Sequence, residues 1–227
     1  MIGCMCIHGF TGSPYEVEPL AAYLKQHTDW DIVVPTLPGH GESLMLKGIV
    51  YEKWIEHAEN ELRQLLARCE KVYLVGFSMG GMIASHLSLL YPVEKLVLLS
   101  AAAYYVNPKQ LFTDIREMMK DGLKGKIREN ELFNRYKQKI RSTPVTATIQ
   151  FRRLVASVRP RINQVKIPTL IAQGECDGIV PVKSAEYLYR TIGTKSKKLI
   201  FLKESQHQIC HCNEKEKLFK EVYNFLQ

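Results

Sequence analysis

The chain has no apolar run approaching the ~20 residues that a membrane-spanning helix requires. That excludes an integral α-helical membrane protein. Its first residues, Met1-Ile2-Gly3-Cys4-Met5-Cys6-Ile7, are apolar. They lack the basic n-region and small-residue cleavage site of a secretory signal peptide. Internal repeats and low-complexity segments are also missing, which argues against solenoid or disordered architectures. No aromatic-interleaved basic motif accompanies the net charge of +8, and Lys and Arg are spread, with some enrichment from Lys120 to Arg161. Such a pattern describes a solvated basic face and not a nucleic-acid-binding surface. Six cysteines are present, yet no second pair stands at zinc-ligand spacing from Cys210-His211-Cys212, and Cys69 and Cys176 stand alone. Cys4 and Cys6 alternate in an apparent strand, so both point to one face and suit core packing. Reduced, mostly buried thiols in a cytoplasmic protein without a bound metal are the expectation.

What the chain does contain is organised around Lys71 to Ala84. A short apolar run, Val72-Tyr73-Leu74-Val75, ends in Gly76-Phe77-Ser78-Met79-Gly80, and a helix-compatible segment follows. Strand, tight turn and helix in that order are the setting of a nucleophile elbow. A Cβ at Gly76 or Gly80 would crowd the strand or the helix, and Ser78 would be held with Oγ exposed above a sheet. A glycine-rich loop with a surface serine is the plainer alternative, and the flanking strand and helix argue against it.

The 227 residues suit one α/β domain with a small insertion. Cys4–Ile7, Asp31–Val34, Leu96–Leu99, Thr169–Ala172 and Leu199–Leu202 read as further strands. Helices are expected over Val17–Leu24, opened by Pro14 with Glu16 and Glu18 in its first turn, and over Tyr51–Arg68, Met79–Leu90, Ser184–Thr191 and Glu214–Leu226. The apolar side of the second of these comprises Trp54, Ile55, Ala58, Leu62, Leu65 and Leu66. The alternation lapses after Ala101, where Ile115–Ile140 and Gln150–Val158 read as helices. Residues 1–103 and 166–227 are therefore expected to form the core, and 104–165 a helical cap. The apolar residues Leu111, Phe112, Leu132, Phe133, Phe151 and Leu154 either line an acyl pocket or pack the cap onto the core. Repeated strand–helix order implies a mostly parallel sheet with helices on both faces. Ligands bind at the carboxyl ends of such strands. Phe10, Ser78, Asp177 and His207 each follow a strand and so belong to one edge of the sheet.

A serine hydroxyl needs a base to take its proton, and the base needs an orienting acid. His207, after the last strand and before the last helix, fits the base. Asp177, in the turn Gly174-Glu175-Cys176-Asp177-Gly178, fits the acid, with Glu175 as the rival carboxylate. His8 and His40 lie in glycine-containing loops and are expected to orient backbone. His86 is within a helix, and His27, His57 and His211 have no strand-end setting. Backbone N–H groups of Phe10 and Met79 are placed to stabilise an oxyanion; losing one such donor costs about 10²–10³ in rate.

His8-Gly9-Phe10-Thr11-Gly12, Pro38-Gly39-His40-Gly41, Gly76-Phe77-Ser78-Met79-Gly80-Gly81, Asp177 and Ser205-Gln206-His207 together resemble the α/β-hydrolase superfamily, and within it the small bacterial carboxylesterases and monoacylglycerol lipases. Ser142-Thr143-Pro144 and Ile167-Pro168-Thr169 are also similar to that group. The resemblance covers nearly the whole chain. It implies Ser78 as nucleophile, His207 and Asp177 as its partners, and Phe10 and Met79 as oxyanion donors that also contact substrate. It implies a small-molecule acyl ester substrate of short to medium chain, monoacylglycerols among them, and neither metal nor organic cofactor. Thioesterase or aminopeptidase action on the same residues, and a non-catalytic binding protein of the same fold, are the alternatives it leaves open; it sets no oligomeric state. The first strand corresponds to the third of the family fold, so reduced N-terminal strands are expected. Cys176 stands where many relatives carry a second aspartate.

Overall fold

The computed structural model describes residues 1–105 and 143–227. Its centre is a six-stranded sheet in which every neighbouring pair is parallel. The strands are β1 (Ile2–Ile7), β2 (Asp31–Val33), β3 (Lys71–Phe77), β4 (Lys95–Leu99), β5 (Thr169–Gly174) and β6 (Lys197–Leu202), in the spatial order β2-β1-β3-β4-β5-β6. Period-2 alternation divides each central strand between two cores. Met5, Ile7, Val72, Leu74, Leu96 and Leu98 face one side; Cys4, Cys6, Tyr73, Val75, Val97 and Leu99 face the other. Both faces are apolar, which is why these strands read as unbroken hydrophobic runs.

Six helices accompany the sheet among the described residues: α1 (Glu18–His27), α2 (Tyr51–Arg68), α3 (Met79–Leu87), α4 (Val145–Val158), α5 (Val182–Thr191) and α6 (Lys215–Leu226). Leu20, Ala21 and Leu24 of α1 and Leu218, Phe219 and Val222 of α6 share one core. Buried residues of α2, α3, α4 and α5 fill the other. The expected apolar stripe of α2 is present: Trp54, Ala58, Leu62 and Leu65 are fully buried, with Ile55 and Leu66 at its margins. Each such leucine contributes about 2 kcal/mol through burial. Trp54 also donates from Nε1 to Pro38 O (3.1 Å), tying α2 to the loop after β2.

Some boundaries move. Helix α3 ends at Leu87 and not near Leu90, because the chain passes through turns before Pro92. Helix α4 begins at Val145, directly after Pro144, five residues earlier than its apolar pattern suggests. Pro14–Glu16 is a separate 3-10 turn, and α1 starts after it. Glu16 is accordingly not a helix-dipole partner in the first turn of α1; its side chain is buried. The expected helix Ile115–Ile140, and Leu111, Phe112, Leu132 and Phe133, lie outside the described residues. No helix among the described residues is long and apolar enough to cross a membrane.

The strand order has a functional consequence. From β1 the chain moves outward to β2, then returns to place β3 on the other side of β1. The crossover direction reverses there, and the loops after β1 and β3 diverge to leave a crevice. Phe10 follows β1 and Ser78 follows β3.

Candidate active site

Ser78 sits between β3 and α3 with φ 53° and ψ −116°. This left-handed φ is costly for a residue with a Cβ and persists only when its surroundings over-determine it. Here Ser78 N–H donates to Leu99 O (2.9 Å), and Ser78 O accepts from Gly81 N–H (3.1 Å) and Ala102 N–H (3.2 Å). The flanking glycines permit the close approach. A Cβ at Gly76 would overlap the Gly80 carbonyl, and one at Gly80 would overlap the carbonyl oxygens of Ile7 and His8. The elbow is thus pressed directly against the end of β1.

His207 lies in the loop after β6. Its Nε2 is 3.1 Å from Ser78 Oγ, and its Nδ1 is 2.7 Å from Asp177 Oδ2. Because a carboxylate only accepts, Nδ1 carries the proton and Nε2 is free to accept from the serine hydroxyl. The ring also packs against Phe77, with centroids 4.9 Å apart. The loop is braced by Glu214, whose Oε2 accepts from Ser205 Oγ (2.8 Å) and Glu204 N–H (2.9 Å).

Asp177 Oδ1 accepts the N–H groups of Ile179 (2.8 Å) and Val180 (2.9 Å). Its Oδ2 accepts from His207 and from Gln173 Nε2 (3.0 Å). Burial pushes the Asp177 carboxyl upward. The charge and hydrogen bond of His207, with the two backbone N–H groups, outweigh burial and hold it below the ordinary carboxylate range. Glu175 is exposed and makes no comparable contact with His207. Ser78, His207 and Asp177 therefore form one continuous hydrogen-bonded chain, drawn from three loops at one sheet edge.

The Gly9–Gly12 loop curls beside Ser78: a Cβ on Gly9 would come within 3.1 Å of Ser78 Cβ. Among the described residues, the N–H groups of Phe10 and Met79 donate to no protein acceptor. His8 accepts from Leu37 N–H at Nε2 (3.0 Å) and donates from Nδ1 to Gly9 O (2.8 Å); His40 Nδ1 bonds Pro38 O (3.1 Å). Both orient backbone, as their settings implied. His211 stacks on Tyr15 and bonds its carbonyl, while Cys210 is fully buried, where desolvation pushes its thiol strongly upward. Among the described residues no group of His, Cys, Asp and Glu could hold a metal, and all six cysteines are free.

Two polar residues of this region have contacts that their sequence positions do not indicate, Glu16 being expected only in the first turn of a helix. Glu16 Oε2 accepts Gly9 N–H (2.8 Å) and abuts Gly12, bracing the loop that carries Phe10. Gln173, buried on β5, donates to Asp177. The available signals were a carboxylic side chain eight residues after His8 and an amide directly after the apolar run Leu170-Ile171-Ala172 of β5. Phe151 of α4 stacks on Phe10, and Leu154 of the same helix is fully buried in the core.

A parallel sheet with a serine at the β3–α3 turn, a carboxylate after β5 and an imidazole after β6 is the arrangement of an α/β hydrolase. The match to the serine aminopeptidase, S33 family spans residues 3–216, and the chain belongs to that family. Among its relatives, a thermostable monoacylglycerol lipase of Bacillus sp. (strain H-257) is 26% identical over 211 residues, 91% of this chain and 82% of the relative. A carboxylesterase of Bacillus subtilis (strain 168) is 24% identical over 227 residues, covering 98% and 91%. The fold is shared with a solved metagenome-derived lipolytic enzyme at a TM-score of 0.80 and 24% identity, over 99% of this chain and 93% of that one. It is also shared with an esterase from Exiguobacterium antarcticum at a TM-score of 0.73 and 22% identity, over 100% and 92%.

Proposed function

We propose that the protein is a serine carboxylesterase that hydrolyses short- to medium-chain acyl esters, monoacylglycerols among them, through an acyl-enzyme. The observation that carries this reading is the hydrogen-bonded chain from Ser78 Oγ through His207 to Asp177, lying beside two backbone N–H groups that have no acceptor among the described residues. Ser78 Oγ attacks the ester carbonyl carbon as its proton passes to His207 Nε2. The carbonyl oxygen becomes an oxyanion and accepts from Phe10 N–H and Met79 N–H. Asp177 stabilises the imidazolium, which then protonates the leaving alcohol as the C–O bond breaks. Water, deprotonated by His207, attacks the acyl-enzyme by the same route and releases the acid, restoring Ser78. No metal or organic cofactor enters these steps. The core is assigned to 1–103 and 166–227 and the cap to 104–165, with Phe151 contributing to the acyl pocket. Six free thiols favour a cytoplasmic setting.

Hydrolysis of p-nitrophenyl esters tests the assignment. Ser78→Ala is expected to lower kcat by at least about 10³-fold; equal rates in the two proteins would sink it. The family match also favours a second reading, in which the same residues cleave aminoacyl amides. The ratio of kcat/KM for an ester, a thioester and an aminoacyl amide of matched chain decides between them, because one fold hosts all three chemistries.

A further inference from the structure

Gln173 ends the apolar run of β5 and is fully buried. A primary amide is costly to bury unless it is hydrogen-bonded. Its Nε2 lies 3.0 Å from Asp177 Oδ2, 3.0 Å from Val180 O and 3.1 Å from Gly174 O. All three neighbours can only accept, so the orientation is decided: rotating the amide would set its oxygen against three other oxygens. The remaining atom, Oε1, has no hydrogen-bond partner among the described residues. Buried acceptors left in this state are rare and call for a reason. A methionine or leucine at this strand position would fill similar space without that penalty. What only the amide supplies is N–H donors, directed at the Asp177 carboxylate and at the Gly174 and Val180 carbonyls of the turn that carries it.

That carboxylate is held on every side. Oδ1 is fixed by two backbone N–H groups, and Oδ2 is shared between His207 and Gln173. Three of the four donors belong to β5 and its following turn; the fourth is the imidazole. With Gln173 removed, Oδ2 would be bonded by His207 alone and could follow the ring as it tilts between Ser78 and a leaving group. We propose that Gln173 is a positioning residue, its side-chain N–H locking the Asp177 carboxylate toward His207 and limiting the negative charge Oδ2 presents to the imidazole. This rests on the reading of Ser78, His207 and Asp177 as the catalytic chain.

Two substitutions test it, each followed by thermal denaturation and by kcat and KM for a p-nitrophenyl ester across pH. Gln173→Met keeps the volume and removes both the donor and the unpartnered acceptor. The expected result is a fall in kcat of about tenfold, the worth of one hydrogen bond to a charged group. KM stays within about twofold, and the acid limb of kcat/KM moves to higher pH. Gln173→Glu places a second carboxyl beside Asp177, where the like charge favours the protonated form. While protonated it donates to Oδ2 and supports turnover; once ionised it repels. This variant is expected to lose activity along a new alkaline limb that the wild type lacks. A Gln173→Met enzyme with kcat within twofold of wild type and a superimposable pH profile overturns the proposal. If that variant does not fold, a Gln173→Glu profile identical to wild type overturns it, and failure of both to fold makes Gln173 a residue of fold stability alone. Labelling of Ser78 by a fluorophosphonate probe separates the two levels: labelled Ser78 with an insensitive Gln173 removes only the positioning role, whereas unlabelled Ser78 with an active Ser78→Ala removes the catalytic reading itself.

Discussion

Phe10 and Phe151 stack face to face, ring centroids 5.1 Å apart and planes within 9°. One ring belongs to the loop after β1, the other to α4 of the segment between β4 and β5. Phe151 also meets Tyr105 at 4.9 Å, and Phe10 meets Trp54 at 5.8 Å. Phe151 is assigned to the acyl pocket in the proposed function, and its substitution tests that assignment. Phe151→Leu keeps an apolar side chain but loses the stacking, a cost of about 1 kcal/mol. The expected outcome is a change of at least about threefold in the ratio of kcat/KM between a long and a short p-nitrophenyl ester, a difference of ~0.6 kcal/mol in transition-state binding. An unchanged ratio would leave Phe151 as packing alone.

Glu16 braces the same loop from below through Gly9 N–H. Glu16→Ala removes the acceptor of a buried backbone N–H, that of Gly9, and is expected to cost about 2 kcal/mol of stability. Activity should suffer beyond what unfolding explains, because the loop that carries Phe10 N–H loses its support. Kinetics at a temperature well below the variant's Tm separate the two: kcat falls while KM is little changed.

Gly80→Ala tests the elbow. The added methyl would meet the backbone carbonyls of Ile7 and His8, and backbone cannot move aside as a side chain can. A loss of ~3 kcal/mol or more, read as a large drop in Tm or a failure to fold, is expected.

Asp177→Asn addresses both catalysis and pH. An amide at this position can donate to Nδ1 and so favours the wrong imidazole tautomer; kcat should fall by about 10⁴. For stability the sign follows from the depressed carboxyl of Asp177. A group whose folded value lies below its unfolded one stabilises the protein above the unfolded value, about 3.9, and loses that contribution as pH falls through the lower folded value. The difference in Tm between wild type and Asp177→Asn should therefore be constant near neutrality and shrink below about pH 4. A difference that widened with acid would contradict the assignment.

Much of this site could be read from local chemistry. The Gly76-Phe77-Ser78-Met79-Gly80 pattern is legible because the steric demand lies between residues close in sequence: strand, turn and helix must pass through one cramped point. Asp177 and His207 are legible as strand-end residues, since strand alternation in a covered parallel sheet leaves unbroken apolar runs whose ends are easily found. Glu16 and Gln173 were not, for a common reason. Each is a buried polar side chain whose meaning comes from a partner's direction, and sequence spacing carries no direction. Glu16 in a potential first turn suits the helix dipole equally well until the 3-10 turn points it inward. Gln173 is merely the polar end of a strand until Asp177 Oδ2 is seen 3.0 Å away.

By itself, then, the chain's pattern of apolar runs, glycines and strand-end polar residues determined the α/β class, the elbow and the three side chains to be joined. These follow from short-range sterics and hydrophobic periodicity. Tertiary structure alone decided that β1 and β3 are neighbours, so that the Phe10 loop and Ser78 share a crevice. It also decided that Asp177 and not Glu175 meets His207, and that Gln173 completes the hold on its carboxylate. Those outcomes depend on strand order and on angles between loops up to 129 residues apart. Such relations are set by the packing of the whole sheet against its helices, which no local segment encodes.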